Sequence, residues 1–229
     1  VKAGSAFFIA LRYLLGRARE GGRYLRGAAA GIALSLVPII ITLIVADGMI
    51  RGIIGRYLEL GTGHLQVFNV TDRQNPEAAM AYLEGLHGIR GMWPERQGLG
   101  VLLGSEGSRG ASIRAVERTF WEDEGSARYL ETLEGVAAFD SDSDVLLGSE
   151  LARSIGASVG SMVRIMTIRP IPGGHFVPRV AAFTVRGIVS SGYRELDAMW
   201  CIITLEAGLQ ILPETGAAHL IVKIDDPFD

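Results

Sequence analysis

The sequence predicts a membrane-anchored α+β chain, with one N-terminal transmembrane helix leading into a larger mixed domain that carries an inserted β-rich lobe. Three observations carry this prediction. Gly27–Ala46, GAAAGIALSLVPIIITLIVA, holds 20 residues without a charge, and as a helix it reaches about 30 Å, the thickness of a bilayer's hydrocarbon core. Residues 1–26 hold six basic residues against Glu20 alone, which leaves 16 basic and 24 acidic residues in the remainder of the 229. Beyond residue 60, short strand and helix patterns alternate with turn residues, as expected of an α+β domain. A mean hydropathy of +0.29 is high for a soluble domain. The acidic remainder excludes a general nucleic-acid binder, because it repels phosphate.

Residues 1–26 precede the span with Phe7, Phe8, Ile9, Leu11, Leu14 and Leu15 set among Arg12 and Arg17. That mixture suits an amphipathic helix lying on a membrane surface or a short helix packed on a partner subunit. The basic cluster places this end in the cytoplasm by the positive-inside rule, and the bulk of the chain outside the inner membrane. A cleaved signal would need a shorter apolar core and a small-residue cleavage site, whereas Asp47-Gly48-Met49 follows here. Pro38 sits inside the span and removes one backbone bond. The small residues at its start, Gly27 to Ala33, permit close approach of another helix. Met49, Ile50, Ile53, Ile54 and Leu58 continue the helical spacing, so residues 27–59 read as span plus stalk.

Farther on, HLQVFNV (64–70) reads as a strand, and Asn75-Pro76-Glu77 starts a helix with Ala79, Leu83 and Leu86 as its buried stripe and Gly88 as its stop. Strands are expected at 101–103 and 112–116, around the turn GSEGSRG, and a helix at 122–130. A strand at 145–147, a helix at 150–154 and a strand at 163–167 follow, then strands at 183–189 and 199–203, a helix at 206–212 and a strand at 220–224. Between them, IRPIPGGHFVPR reads as a loop, stiffened by Pro170, Pro172 and Pro178, with Ile171, Phe176 and Val177 exposed at its tip. Exposed apolar residues on a rigid loop mark a binding surface, or else a long hairpin packed on its own domain.

Residues with the potential for chemistry form no catalytic pattern. The sequence has no phosphate loop. His64, His87, His175 and His219 read as isolated surface or strand residues. Asp140, Asp142 and Asp144 resemble the start of a calcium loop, but Val145 and Leu151 stand where such a loop needs glycine and glutamate, so a solvated acidic turn is expected. The single cysteine, Cys201, lies in an apolar strand and reads as a small buried residue. No enzymatic activity and no cofactor or metal are expected in this chain.

Several segments, in order, carry a family resemblance: FFIALRYLLGR before the span, HLQVFN after it, ASIRAVERTFWEDE, VLLGSELARSIGASVGSMVRIMT, FTVRGIVSSGYRELDAMWCIITLEAGLQIL and AAHLIVKIDDPFD. Together they resemble the permeases of lipoprotein-releasing ABC transporters (the LolC/LolE type), within the wider MacB and FtsX permease group. Ser161 departs from the aspartate the family usually places there. The resemblance implies a MacB-like periplasmic domain, with one lobe from 60–118 and 213–229 and the β-rich lobe of 119–212 inserted. It also implies further spans beyond Asp229, and hence a fragment. A separate ATPase subunit would bind ATP and Mg, beside a second permease copy or paralogue in the inner membrane. Lipoprotein cargo and membrane lipid would lie against the first span, with Val37, Ile40, Ile41 and Ile44 as the expected contacts. A periplasmic lipoprotein carrier would meet the loop at Arg169, Pro170, Ile171, Pro172, Phe176, Pro178 and Arg179. The same architecture serves an FtsX-like regulator of a cell-wall hydrolase or a MacB-like efflux permease, and a signal-anchored binding domain would need no ATPase.

Overall fold

A computed structural model of the chain describes residues 9, 21–68, 76–171, 175–213 and 217–225. The chain divides into two compact units, Val1–Ile54 and Gly55–Asp229.

The first unit is dominated by α1 (Gly21–Tyr57), a continuous helix of 37 residues that begins before the uncharged block. Every described side chain from Arg26 to Gly52 is exposed, including Ile32, Leu36, Ile39 and Leu43. A helix whose described side chains are apolar all round and exposed is suited to lipid. Pro38 lies within α1 without ending it, and Thr42 Oγ1 donates to the Pro38 carbonyl at 2.7 Å. The expected amphipathic segment lies largely outside the described residues; Ile9 is helical and exposed.

In the second unit, the last turn of α1 passes into a π-helical turn (Leu58–Thr62). Next come β1 (Leu65–Phe68), α2 (Pro76–Glu84), β2 (Ile89–Leu103), β3 (Ser108–Val116), a 3-10 turn (Arg118–Glu122), α3 (Glu124–Tyr129), β4 (Glu131–Gly135) and β5 (Asp144–Gly148). They are followed by α4 (Ser149–Ile155), β6 (Met162–Ile171), β7 (His175–Ser190), α5 (Arg194–Asp197), β8 (Trp200–Thr204), α6 (Leu205–Ile211) and β9 (Ala217–Ile224).

Six of these strands close on themselves in the order β2-β3-β8-β5-β7-β6 and back to β2. Closure leaves these strands without a free edge between them. Alternation along each strand then defines an inside and an outside. Ile113, Ala115, Val145, Leu147, Cys201 and Ile203 join the core that also takes in Leu151 and Ile155 of α4 and Ala207 and Ile211 of α6. Val116, Leu146, Trp200 and Ile202, one step along the same strands, face a second core with Leu60, Phe120 and Trp121. A Cβ at Gly208 would stand 2.1 Å from the Ala115 Cβ, so only glycine lets α6 pack so close to β3. Beyond the barrel, β9 pairs with β2 and β1 with β9, while β4 pairs with β7. The β-rich part expected over 119–212 thus also takes in β2 and β3, and β3–β8 pairing runs across the expected boundary at 118.

Several expectations need correction. Residues 168–171 and 175–179 are strands, not a loop: β6 and β7 pair through Thr167↔Arg179, Arg169↔Val177 and Ile171↔His175 as one long ribbon. Proline fits there because a two-stranded ribbon has open outer sides that need no donor. No strand was expected at 89–100, yet β2 runs 15 residues. Its Pro94 pairs with Leu220, just before β3 begins to pair at Glu95, where β2 has one neighbour only. β4 was likewise unexpected; its residues are all exposed and carry no apolar alternation. The helix expected from Asn75 to Gly88 ends at Glu84, and Leu86, expected in its buried stripe, is 46% exposed; Asn75 lies outside the described residues.

Candidate functional site

The residues that follow α1 are held by two buried ionic groups, built from strands far apart in sequence. In the first, Lys223 of β9 is fully buried, and its Nζ donates to Asp123 Oδ2 at 2.7 Å and to Ser126 Oγ at 2.6 Å. The same ammonium lies 3.3 Å from Glu59 in the π-helical turn and 4.8 Å from the centre of the Phe120 ring. Arg90 of β2 closes the group from its outer side, donating to Glu59 at 2.5 Å and to Asp123 at 3.1 Å. Asp123 also caps α3 by accepting from the Ser126 N–H. Burial raises the Asp123 pKa, but the Lys223 bond and charge, the Ser126 N–H and Arg90 outweigh it and hold the carboxyl below its ordinary value. For Arg90, burial acts downward, and Glu59 and Asp123 more than restore it, holding its pKa above the usual value.

Arg114 of β3 anchors the second group. It grips Glu95 of β2 through two bonds, Nε to Oε1 at 2.5 Å and Nη2 to Oε2 at 3.1 Å. Its remaining donors reach the carbonyls of Leu60 at 2.5 Å and Gly61 at 2.9 Å, the same turn that Glu59 occupies. A planar guanidinium with five donors is suited to joining a carboxylate to two backbone carbonyls at once. Burial would raise the Glu95 pKa; Arg114, with His219 and Gln97 beside it, brings it down to about 2. Breaking such a buried pair by removing one partner costs roughly 3–5 kcal/mol.

His64 and His219 are not isolated. His64 Nδ1 accepts the Ile224 N–H at 2.9 Å, and Nε2 lies 3.5 Å from Glu59. Burial, with Arg90 and Lys223 nearby, lowers its pKa although Glu59 acts in the opposite direction. His219 is 2% exposed, lies 3.5 Å from Glu95 and contacts the Phe68 ring at 5.4 Å. Among the described residues, no three His, Cys, Asp or Glu side chains come together as a metal site. Asp140 pairs with Arg186, Asp142 with Arg118, and Asp144 accepts from the backbone N–H groups of Asp140 and Ser141, so the acidic turn is tied within the domain.

The structure leaves the expected cargo and carrier residues in different settings. Val37, Ile40, Ile41 and Ile44 are 49–66% exposed and fall on one helical face of α1. Ile32, Leu34, Ile39 and Leu43 are equally bare, so exposure alone does not single out that face. On the ribbon, Phe176 is 69% exposed and Pro178 and Arg179 are exposed too. Arg169 is half-buried, while Pro172 and the side chains of Pro170 and Ile171 lie outside the described residues. Arg179 is not a free rim cation: its guanidinium donates to the Gln210 carbonyl of α6. Thr167 Oγ1 donates to the Ile211 carbonyl at 2.6 Å, so the ribbon's base is fastened to that helix at two points.

In sequence the junction's Glu59, Arg90, Glu95, Arg114, Asp123 and Lys223 form no motif. One signal was present: Lys223 stands inside the apolar run LIVKI, where an unpaired charge is too costly to bury.

Residues 27–229 match the family model described as the MacB-like periplasmic core domain. Among curated proteins, a lipoprotein-releasing system transmembrane protein LolC from Neisseria meningitidis serogroup B is 29% identical over 96% of this chain and 54% of its own length. A LolC from Xylella fastidiosa is 27% identical over 95% of this chain and 54% of its own. The chain spans about half the length of the curated relatives it matches. Among solved structures, the periplasmic region of MacB from Actinobacillus actinomycetemcomitans aligns over 67% of this chain and 66% of its own, with a TM-score of 0.44 and 18% identity.

Proposed function

We propose that this chain, which belongs to the family of the MacB-like periplasmic core domain, forms part of an ABC-transporter permease that releases lipoproteins from the inner membrane towards a periplasmic carrier. The observation that carries this reading is the junction: a lipid-suited helix runs without a break into a turn that two buried ionic groups fasten to the β domain. Motion that reaches residues 58–62 is delivered to β2, β3 and β9 together, because Arg90, Arg114 and Lys223 belong to those strands.

In this reading the N-terminal basic segment is cytoplasmic and the residues beyond 60 periplasmic, as the positive-inside rule favours for an uncharged span with its basic cluster on one side. ATP and Mg belong to a separate ATPase subunit, and a second permease copy or paralogue completes the membrane part. Acyl chains of the cargo lie against Val37, Ile40, Ile41 and Ile44, each buried CH₂ contributing about 0.8 kcal/mol. The carrier docks on the ribbon, with Phe176 as the apolar anchor beside Arg169, Pro170, Ile171, Pro172, Pro178 and Arg179. The β-rich lobe of 119–212 moves as a body with the lobe of 60–118 and 213–229.

The test is release from proteoliposomes that hold the full-length permease, its ATPase and a labelled lipoprotein. ATP is expected to transfer label to a soluble carrier, and Ile40→Asp or Ile44→Asp to abolish the transfer at normal membrane levels, since a mid-membrane charge costs roughly 2.5–3.5 kcal/mol. Transfer that is independent of ATP, or unaffected by either change, contradicts the reading.

A further inference from the structure

One cavity in the second unit is lined by none of the junction's ionic residues. Its volume is about 340 Å³, and its walls include Arg56, Arg128, Tyr129, Glu131, Ser191 and Gly192. Arg56 comes from the last turn of α1 and Arg128 from the last turn of α3. A basic residue in a helix's last turn is ordinary, because it complements the carbonyl end of the helix dipole. That preference does not explain why two such residues line one cavity. Neither guanidinium has a carboxylate within ion-pair distance among the described residues; instead each lies over an aromatic face at 5.7 Å, Arg56 over Tyr193 and Arg128 over Tyr129. Stacking holds a guanidinium's plane while leaving its edge N–H groups available.

The wall opposite Arg56 is built for its approach. Gly192 has φ +78°, and a Cβ there would stand 2.5 Å from Arg56 Nη1, so a larger residue would displace the guanidinium. The turn is fixed from behind by Asp197, which accepts from the Ser191 N–H and hydroxyl, both at 2.8 Å, and from the Ser190 hydroxyl at 2.7 Å. Two cations and the single carboxylate of Glu131 leave the cavity with a net positive charge.

Position along the chain narrows the ligand. The stretch from Gly27 to Ile54 holds only two charges, Asp47 and Arg51, which neutralise each other as an ion pair at 3.0 Å. Gly27–Ala46 fills the hydrocarbon core, so the last eight residues of the stretch run about 12 Å beyond it, through the headgroup layer to the membrane surface. Arg56 follows that stretch by two residues. We propose that this cavity binds a phosphodiester headgroup of an anionic phospholipid, the two guanidinium edges donating to the phosphate oxygens and Glu131 accepting from headgroup hydroxyls. The inference needs α1 to cross a bilayer and does not depend on lipoprotein release.

Native mass spectrometry of the detergent-purified full-length permease tests it, with dioleoyl phosphatidylglycerol, dioleoyl phosphatidylcholine and free glycerol 3-phosphate as probes. Phosphatidylglycerol is expected to bind at least about tenfold more tightly than phosphatidylcholine, and Arg56→Gln with Arg128→Gln to erase that preference. The fold is checked by thermal unfolding; should the double variant unfold, Arg128→Gln alone, at an exposed position, is expected to lose at least about threefold. Glycerol 3-phosphate that competes as well as the lipid assigns the cavity to a soluble phosphate ester and overturns the membrane source. Unchanged phosphatidylglycerol binding in folded Arg128→Gln overturns the site. A permease that fails to release lipoproteins but keeps the arginine-dependent lipid preference refutes the transport reading and leaves this one standing.

Discussion

Lys223 and Arg114 show why single residues decide the junction. Each is a cation buried at 3% exposure or less, and each joins a carboxylate on the β domain to the turn after α1. Arg114→Leu is expected to cost roughly 3–5 kcal/mol in urea unfolding of the intact chain in detergent, because it strands the Glu95 carboxylate. Adding Glu95→Leu removes the stranded charge and is expected to recover part of that loss; a double variant no better than the single one would contradict the pairing. His64 makes the same region sensitive to acid. Its folded pKa lies below 6.5, so under mild acid the unfolded chain binds a proton that the folded chain does not, and stability falls as pH drops from 6.5 towards the lowered value. Glu95, held near 2, acts in the same direction at lower pH: its contribution is complete above about 4.5 and is lost as pH falls through about 2. His64→Asn keeps an acceptor for the Ile224 N–H without a titrating ring, and is expected to flatten the slope between pH 5 and 6.5 by up to about 1.4 kcal/mol per pH unit. An unchanged slope would remove His64 from the acid response.

At the scale of elements, legibility followed periodicity. The span was readable because 20 uncharged residues admit few other fates, and β5 and β8 because Val145–Leu147 and Cys201–Ile203 are apolar runs of strand length. β2 was not, because RGMWPERQGLG mixes glycine, proline and charge; its hydrogen bonds to β9 and β3 override local preference. The ribbon misled for the same reason: three prolines suggest a loop, yet Pro178 pairs with Ile168 and Pro170 with Phe176. A ribbon presents its side chains at fixed register, which suits a docking element better than a loop does, since less order is lost on binding. Phe176→Ala is expected to weaken carrier binding by at least about tenfold while moving stability by no more than about 0.5 kcal/mol, as for an exposed position. Arg179→Ala is expected to loosen the ribbon from α6 and lower the unfolding temperature as well. Carrier affinity unchanged in Phe176→Ala, measured by titration calorimetry, would exclude the ribbon as the docking site.

For the whole molecule, the junction gains meaning from topology. β1 and β9 are antiparallel neighbours, with Leu65 opposite Val222, so the chain enters the second unit and leaves β9 at the same end of the sheet. Glu59, His64, Arg90 and Lys223 gather at that end, where His64 accepts the Ile224 N–H. None of this was legible in sequence, because its partners are separated by as many as 160 positions, His64 to Ile224. What the sequence carried was the presence of charges in strands; which charge meets which is set by register. The most direct test of the proposed coupling uses Arg90→Ala in the full-length permease assembled with its ATPase in proteoliposomes. Arg90 is 30% exposed and braces the first ionic group from outside, leaving Lys223 to hold Asp123, so the domain is expected to stay folded. Release per ATP hydrolysed is predicted to fall about tenfold, the size of a coupling loss near 1.4 kcal/mol, with hydrolysis itself nearly unchanged. Release and hydrolysis that stay in their original ratio would contradict transmission through this junction.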